Sequence, residues 1–572
     1  MQTSGVSESA VWSSWVSLDR FCLTVPCPWL GTEALGRCAS WVDFDLDGFV
    51  DLFLCNAGSE NRMLRNLGDR TFELADVGEL GLAQAVSVAA AWADADNDGD
   101  YDVYLVNAAS ANQLFVQDTS GTFHDMTPPA MADEGEGRAA AWSDYDLDGD
   151  LDLFLTNYGT ADKLFRNEGG LSFSDQTAVI EQPGWEGWTS VGAAWADYDQ
   201  DGDADLYVVD ATGPNHLLRN EGPFGFTDAT AGALGDGGAG RGVIWGDFQN
   251  DGLLDLYIVN HDGPNRLLKN LGPGGYAFAD VTAGPEGDPN AGRSVCAGDF
   301  DLDADLDLYI VNDPAANVLL LNQGTGEFSL IDDPMPMPEG VHFASAPADF
   351  DQDGDVELFV VHGEGGEDNL LFVNAQASGH HWLKVELNGS GSNKFGIGGI
   401  IEVTADRTVQ TRQVSAGTGS IGQASVTEEF GLGGIEHVEM IRVIWPSGLV
   451  SELCDVASDR LIVINEPTFD AVEQEPEPHA AAPGLLPCSP NPIHPDARIG
   501  FVLSKGGPAL LQIFDSSGRL VRVLTEGHHG PGRHAAVWDG RDRDGQAVPA
   551  GVYFVRFTSE GVRQRRTVTL VR

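Results

Sequence analysis

The chain has 572 residues, about four times a typical domain length of ~150, so several domains are expected. Its 88 acidic against 31 basic side chains give a formal net charge of −57, which argues against nucleic acid or anionic lipid as partners. With 42% hydrophobic and 9% aromatic residues it is too apolar for a disordered acidic tail, and no run approaches the ~18 apolar residues of a transmembrane helix.

Residues 1–36 form an N-terminal segment. Its start, MQTSGVSESAVWSSWVSLDR, lacks a basic stretch followed by an apolar block, so no secretory signal is visible. The seven cysteines (Cys22, Cys27, Cys38, Cys55, Cys296, Cys454, Cys488) have no metal-ligand spacing, and an odd number cannot all pair within one chain. They read mostly as small buried hydrophobes.

From residue 37 to 376 one acidic stretch recurs seven times: DFDLDGFVD from Asp43, DADNDGDYD from Asp94, DYDLDGDLD from Asp144, DYDQDGDAD from Asp197, DFQNDGLLD from Asp247, DFDLDADLD from Asp299 and DFDQDGDVE from Asp349. Successive copies start 51, 50, 53, 50, 52 and 50 residues apart. Each is preceded by a small-residue run, often with Trp, as in AAAWA. It is followed by β-rich runs such as LFLTN and DKLFRN and then by a stretch centred on Phe72, Phe123, Phe173, Phe226, Phe278 or Phe328. Four strands per repeat, without helical periodicity, predict an all-β propeller of seven blades. The seventh copy lacks its Phe stretch, whereas Phe21 in RFCLTV lies 22 residues before Asp43. A strand near 20–25 is therefore expected to complete the last blade and close the ring, because an open solenoid would leave unpaired edges.

In D-x-D-x-D-G-x-x-D, positions 1, 3 and 5 turn carboxylates to one side of a tight loop. Glycine at position 6 permits the bend, and position 9 adds a fourth acid. The donors are hard oxygens, which suits Ca²⁺; the His and thiolate ligands favoured by zinc or copper are absent from the pattern. Two carboxylates ~4 Å apart repel by roughly 4 kcal/mol at an effective dielectric near 20, so a cation is expected to be part of the fold. The predicted ligands are Asp43, Asp45, Asp47 and Asp51; Asp94, Asp96, Asp98 and Asp102; Asp144, Asp146, Asp148 and Asp152; Asp197, Asp199, Asp201 and Asp205; Asp247, Asp251 and Asp255; Asp299, Asp301, Asp303 and Asp307; and Asp349, Asp351, Asp353 and Glu357. Up to seven structural Ca²⁺ ions follow, bound more weakly at the Asp247 loop, where Gln249 replaces an acid, and at the Asp299 loop, where Ala304 replaces the glycine. An EF-hand fails at position 12, occupied by Leu54, Leu105, Leu155, Val208, Ile258, Ile310 and Val360 instead of a bidentate Glu.

The recurring W-x-D-[FY]-D-x-D-G-D-x-D-L-[FY]-[IV]-[VT]-N resembles the FG-GAP, or VCBS, repeats of integrin-like propellers. That resemblance implies structural calcium in the loops and a scaffold for adhesion or for recognition of protein or carbohydrate. Residues 379–466, with HWLKVELNGSGSNKFGIGGIIEVTADRTVQTRQV, FGLGG and IRVIWPSG, resemble the ASPIC/UnbV domain of the cartilage acidic protein family. There Asn393, Gly396 and Trp445 read as turn and core residues more readily than as a groove. The Pro-, Glu- and Ala-rich stretch 467–486 is expected to be an extended linker. Residues 487–572, with PNP, IFDSSGRLVR, WDGRDRDG and PAGVYFVR, form short alternating strands and resemble the FlgD-type immunoglobulin-like domain and C-terminal sorting domains of bacterial secreted proteins.

The expected protein is thus a secreted or cell-surface calcium-stabilised propeller followed by a small β domain and a C-terminal Ig-like β-sandwich. It is expected to bind a protein or glycan and to engage secretion machinery through its C-terminal domain. Export without a visible signal leads to the expectation that the N-terminus is truncated or mis-started. The alternative is a propeller enzyme acting on polysaccharide or a related extracellular substrate. His216, His261 and His342 are its candidates, but they do not recur at one repeat position, and no nucleophile, base and orienter stand together in the sequence.

Overall fold

A computed structural model describes residues 16–17, 35–467 and 484–570, less short stretches at 83–84, 181–187, 223–224, 274–275, 332–340, 364–368, 375–378 and 418–420 and scattered positions after 484. The described chain divides into two compact units, residues 1–466 and 467–572.

In the first unit each acidic repeat makes one four-stranded antiparallel sheet; the sheet of residues 137–175, for example, has Gly137–Ser143, Asp152–Asn157, Lys163–Asn167 and Phe173–Asp175 in sequence order. The β-rich run LFLTN is buried on both faces because sheets stack on either side of it. The six Phe residues open the short outer strands. The last sheet takes its outer strand from the N-terminal segment: Val16–Ser17 pairs antiparallel with Leu370–Val373. This strand lies ahead of the expected 20–25, and Phe21 is outside the described residues.

Two kinds of hydrogen bond staple successive sheets, the first at four junctions, since the Trp92 indole N–H has no acceptor among the described residues and Ala297 and Pro347 take the Trp position in the sixth and seventh sheets, and the second at all seven. The Trp ending the small-residue run donates its indole N–H backwards, Trp142 to Ala91 O at 3.0 Å and Trp195 to Ala141 O at 3.2 Å. The amide ending the third strand donates to the carbonyl at position 2 of the preceding acidic loop: Gln117 to Phe44, Asn167 to Ala95, Asn220 to Tyr145, Asn270 to Tyr198, Asn322 to Phe248 and Asn374 to Phe300, all at 2.8–2.9 Å. Both staples also join the first sheet to the last, through Trp41 to Ala346 O at 3.0 Å and Asn66 to Phe350 O at 2.8 Å. The innermost strands Leu35–Val42 and His342–Ala348 are packed together accordingly.

The remainder of this unit holds two further sheets, one pairing His381–Asn388 with Glu428–Gly433 and, in parallel, with Arg460–Asn465, the other ordered Thr408–Gln413, Ile400–Ala405, His437–Ile444 and Val450–Ala457. Its residues on either side of 418–420 enter the ring of innermost strands: Trp142 backbone N–H donates to Ala416 O, and Gln423 bridges Ser40 while its side chain both accepts from Trp92 backbone N–H and donates to Trp92 O. Asn393 and Trp445 have the expected structural roles. Asn393 is fully buried and clasps both backbone groups of Ile397, and the Trp445 indole donates to Ser451 Oγ at 3.0 Å.

Cys38 and Cys55 face each other on paired strands and form a disulfide, which corrects their reading as free buried hydrophobes; Cys296 is free and buried, Cys454 free and exposed. In the second unit the sheets 484–489/497–503/532–538 and 520–529/507–515/551–559/562–570 enclose Phe501, Ile513, Trp538 and Phe557. The stretch 468–483, most of the expected linker, is outside the described residues.

Candidate metal centres

Each acidic loop joins the innermost strand to the second strand, and its ninth residue is the first of that second strand, as Asp152 is of Asp152–Asn157. The loop backbone is the same seven times. Position 4 is left-handed in every copy, with φ between +50° and +60° at Leu46, Asn97, Leu147, Gln200, Asn250, Leu302 and Gln352. Glycine occupies position 6 at φ +83° to +101° in six copies, and Ala304 takes φ +83° in the other. An L-residue with a Cβ pays about 1–2 kcal/mol there. Replacing Ala304 by Gly is expected to stabilise the first unit by about 0.5–1 kcal/mol after the entropy glycine adds to the unfolded chain. A denaturation midpoint unchanged or lowered in Ala304→Gly would contradict this.

The carboxylate at position 1 is held by two amides, those of positions 5 and 6: Asp148 and Gly149 donate to the two oxygens of Asp144, both at 3.0 Å, and the other six loops repeat the pair. Position 9 is pinned by the stapling residue, whose N–H donates to Asp51, Asp102, Asp152, Asp205, Asp255 or Asp307 at 2.7–3.0 Å. Position 3 is different. One buried carboxylate oxygen of Asp45, Asp96, Asp146, Asp199 and Asp351, and the buried amide oxygen of Gln249, has no hydrogen-bond donor. Ligand oxygens of positions 1, 3 and 9 lie within 4.8 Å of one another in the Asp43, Asp94, Asp144 and Asp197 loops, and those of Asp299, Asp301 and Asp303 do so in the sixth. Buried acceptors without donors are rare and costly, and an oxygen-seeking cation satisfies them. The residues therefore fit a hard divalent ion.

Burial, reinforced by neighbouring carboxylates, pushes Asp43, Asp94, Asp144 and Asp197 up to about 7 and Asp51 and Asp102 up to about 8. Asp152 rises to about 9 for the same reasons. A compensating positive charge favours the ionised form of such acids and offsets this shift.

Comparison with known proteins agrees with this arrangement. The FG-GAP-like repeat matches residues 43–105, 94–155, 144–208, 197–258, 247–310 and 299–360, together more than half of the chain. The chain belongs to the FG-GAP-like repeat family. Residues 389–470 match the ASPIC and UnbV domain and 497–561 the FlgD Ig-like domain. Cartilage acidic protein 1 of Homo sapiens is 27% identical over 302 residues, 49% of this chain and 45% of that protein, and its Mus musculus counterpart 28% over 197 residues, 32% and 30%. The matched region thus spans less than half of those relatives. Among solved structures, the BP39L lectin of Burkholderia pseudomallei aligns at 13% identity and TM-score 0.43 over 60% of this chain and all of that one. YCF48 bound to D1 peptide aligns at 10% identity and TM-score 0.40 over 65% of this chain and all of that one.

In these FG-GAP-like repeats, some loops already carry an organic cation. Arg65 pairs with Asp45 at 2.6 Å, Arg166 with Asp146 at 2.6 Å and Asp148 at 2.9 Å, and Arg70 with Asp351 and Asp353, each at 2.7 Å. Lys384, from the ASPIC/UnbV-like region and 8% exposed, places Nζ 2.5 Å from the position-1 carboxylate of Asp349. Sequence reading missed Arg65 and Arg166 because an Arg beside the closing Asn of a third strand, as in LFRN, looks like an ordinary solvated face; Arg70, in the turn after one, and Lys384, in another sheet, gave no sign of the loops they reach. The enzyme candidates have other neighbours: His216 stacks on Trp188 at 3.7 Å and His342 packs edge-on to His362 at 5.1 Å. His216, His261 and His342 belong to different sheets or their flanks.

No helix of the described residues is long and apolar enough to cross a membrane.

Proposed function

We propose that the chain is a calcium-binding recognition scaffold that works outside the cell. Up to seven Ca²⁺ ions stiffen its propeller, and a protein or glycan ligand binds to it. The observation that carries this reading is the buried, donor-less oxygen at position 3, repeated through the acidic loops between two carboxylates that the backbone holds in place. When bound, the ion supplies positive charge and oxygen coordination; the chain supplies a preformed acidic cup. Extracellular free calcium fills even sites of ~10⁻⁴–10⁻³ M affinity, which suits a chain of net charge −57. The relatives are named for cartilage and for acidity, and the second property is shared here. The FlgD-like domain favours display at the surface or passage through secretion machinery.

The loops are not equal. Gln249 brings a neutral oxygen and the Asp349 loop holds Lys384, so these are expected to be the weaker sites together with the strained Asp299 loop.

Calcium titration of the decalcified protein by calorimetry tests the reading. Asp96→Asn or Asp146→Asn is expected to weaken one site by about tenfold or more while leaving the others intact. A heat of binding absent from the wild type, or unaltered in both variants, counts against it. A glycan and protein array run with calcium and with chelator then tests recognition, and a hit that vanishes with chelator is the expected outcome.

A further inference from the structure

The innermost strand of every sheet carries a β-bulge at its second residue or, in the first sheet, its third. The register skips one position between Gly36 and Cys38, Gly137 and Ala139, Gly240 and Gly242, and Gly292 and Ser294. A bulge leaves the extra residue out of the ladder and re-aims its side chain. In these four sheets that residue is an arginine: Arg37, Arg138, Arg241 and Arg293. The segment from the ASPIC/UnbV-like region enters the ring at Ser40 and Trp142, three or four residues further along the same strands. The arginines therefore stand roughly 10 Å nearer the opposite mouth.

Their guanidinium groups converge. Arg37 and Arg293 lie over the same ring, that of Phe343 from the last sheet, at 4.3 and 4.6 Å from its centroid. Arg138 lies over Tyr158 at 5.0 Å. Arg241 is half-buried; burial first, then the charges of Arg293 and Arg138, pull its affinity for a proton down, while Tyr158 and Asp262 act the other way. Arg138 also pairs with Glu136 and Arg293 with Asp313. Among the described residues no carboxylate forms an ion pair with Arg241. Four guanidiniums drawn into one part of the ring concentrate positive charge locally in a chain with 88 acids to 31 bases, even with Glu136 and Asp313 beside two of them.

We propose that this arginine ring is a binding site for a tetrahedral oxyanion, a sulfate or phosphate ester group carried by the ligand. A planar carboxylate is saturated by one guanidinium fork, whereas a sulfate or phosphate monoester presents three terminal oxygens in a tetrahedral array to forks arriving from several sheets. The inference deepens the recognition reading by naming the ligand's chemical class, and it makes no use of the calcium loops.

Calorimetric titration of the calcium-loaded full chain at constant ionic strength tests it. The probes are glucosamine 6-sulfate, glucose 6-phosphate and, as the carboxylate control, glucuronate. Binding heat is preferred to melting temperature because sulfate stabilises proteins in general by exclusion from their surface. At least one ester is expected to bind, and which one does identifies the source. Arg241→Ala is expected to weaken that binding by about tenfold or more, and Arg241→Lys, which keeps the charge but loses the fork, by an intermediate factor. The melting temperature of Arg241→Lys, which keeps the charge and most of the side-chain length, is expected to match the wild type, which separates a lost site from a lost fold. Absence of ester binding, equal binding of glucuronate, or unchanged binding in both variants would overturn the proposal. Because chelation is read separately, such a failure leaves the calcium reading standing, and a failure of the calcium reading leaves this one to be judged on its own.

Discussion

Chelation of calcium is expected to lower the melting temperature of the 1–466 unit by roughly 10–20 °C. An ion present at a hundred times its dissociation constant stabilises the folded state by about 2.7 kcal/mol per site, and several sites act on one cooperative ring. Unfolding entropy grows with chain length, so a unit of this size moves only about 1 °C per kcal/mol. The sum over five to seven sites is what makes the shift large. The second unit, residues 467–572, has its own core and none of the seven loops, so its transition serves as the internal control and should stay in place. Calcium returned in excess is expected to restore the first transition. Magnesium at equal concentration should do so poorly, since it demands tight octahedral geometry and gives up water reluctantly. A shift under about 2 °C in scanning calorimetry would mean that the carboxylates are neutralised by protons and by Arg65, Arg70, Arg166 and Lys384 alone.

That outcome depends on features of unequal visibility in the sequence. The recurrence of D-x-D-x-D-G-x-x-D displayed the loops, their period and the four-strand unit, because a metal cup needs a fixed spacing of oxygens. The flanking Trp recurs in five of the seven repeats and the amide closing the third strand in all seven, as Asn or, once, Gln, yet their role was hidden. A side chain that donates to a carbonyl about 50 or 70 residues earlier leaves no local periodicity. Position 4 was hidden for another reason: Leu46, Asn97 and Gln200 share no side-chain chemistry, only a left-handed backbone imposed by the turn. The bulge arginines show the same limit, since Gly-Arg ahead of a small-residue run says nothing about convergence until the sheets are arranged in a ring. The closing strand was expected near residues 20–25 of the N-terminal segment, and the strand that pairs with the last sheet is Val16–Ser17. Its place at Val16–Ser17 could not be read, because that strand lacks the Phe that opens each of the other six outer strands.

Ring closure itself supplies the second large effect. Trp41 is 1% exposed, donates its indole N–H to Ala346 O at 3.0 Å and stacks on Phe350 at 5.9 Å, so it joins the first sheet to the last. Truncating such a side chain to alanine costs about 3–5 kcal/mol through lost contact and the cavity left behind. Trp142 makes the same contact within the ring, to Ala91 O. In a closed ring the junctions stapled by Trp41 and Trp142 are alike, and Trp41→Ala and Trp142→Ala are expected to destabilise the first unit to a similar extent. In an open array the first and last sheets would be free ends, and Trp41→Ala would cost no more than burial within its own sheet. Trp41→Phe keeps most of the packing but leaves Ala346 O without a donor, a loss of about 1–3 kcal/mol. Urea denaturation of the three variants in calcium decides the matter: a cost at Trp41 well below that at Trp142 would show that the junction does not hold, and equal costs would show that closure bears the same share of stability as any other seam.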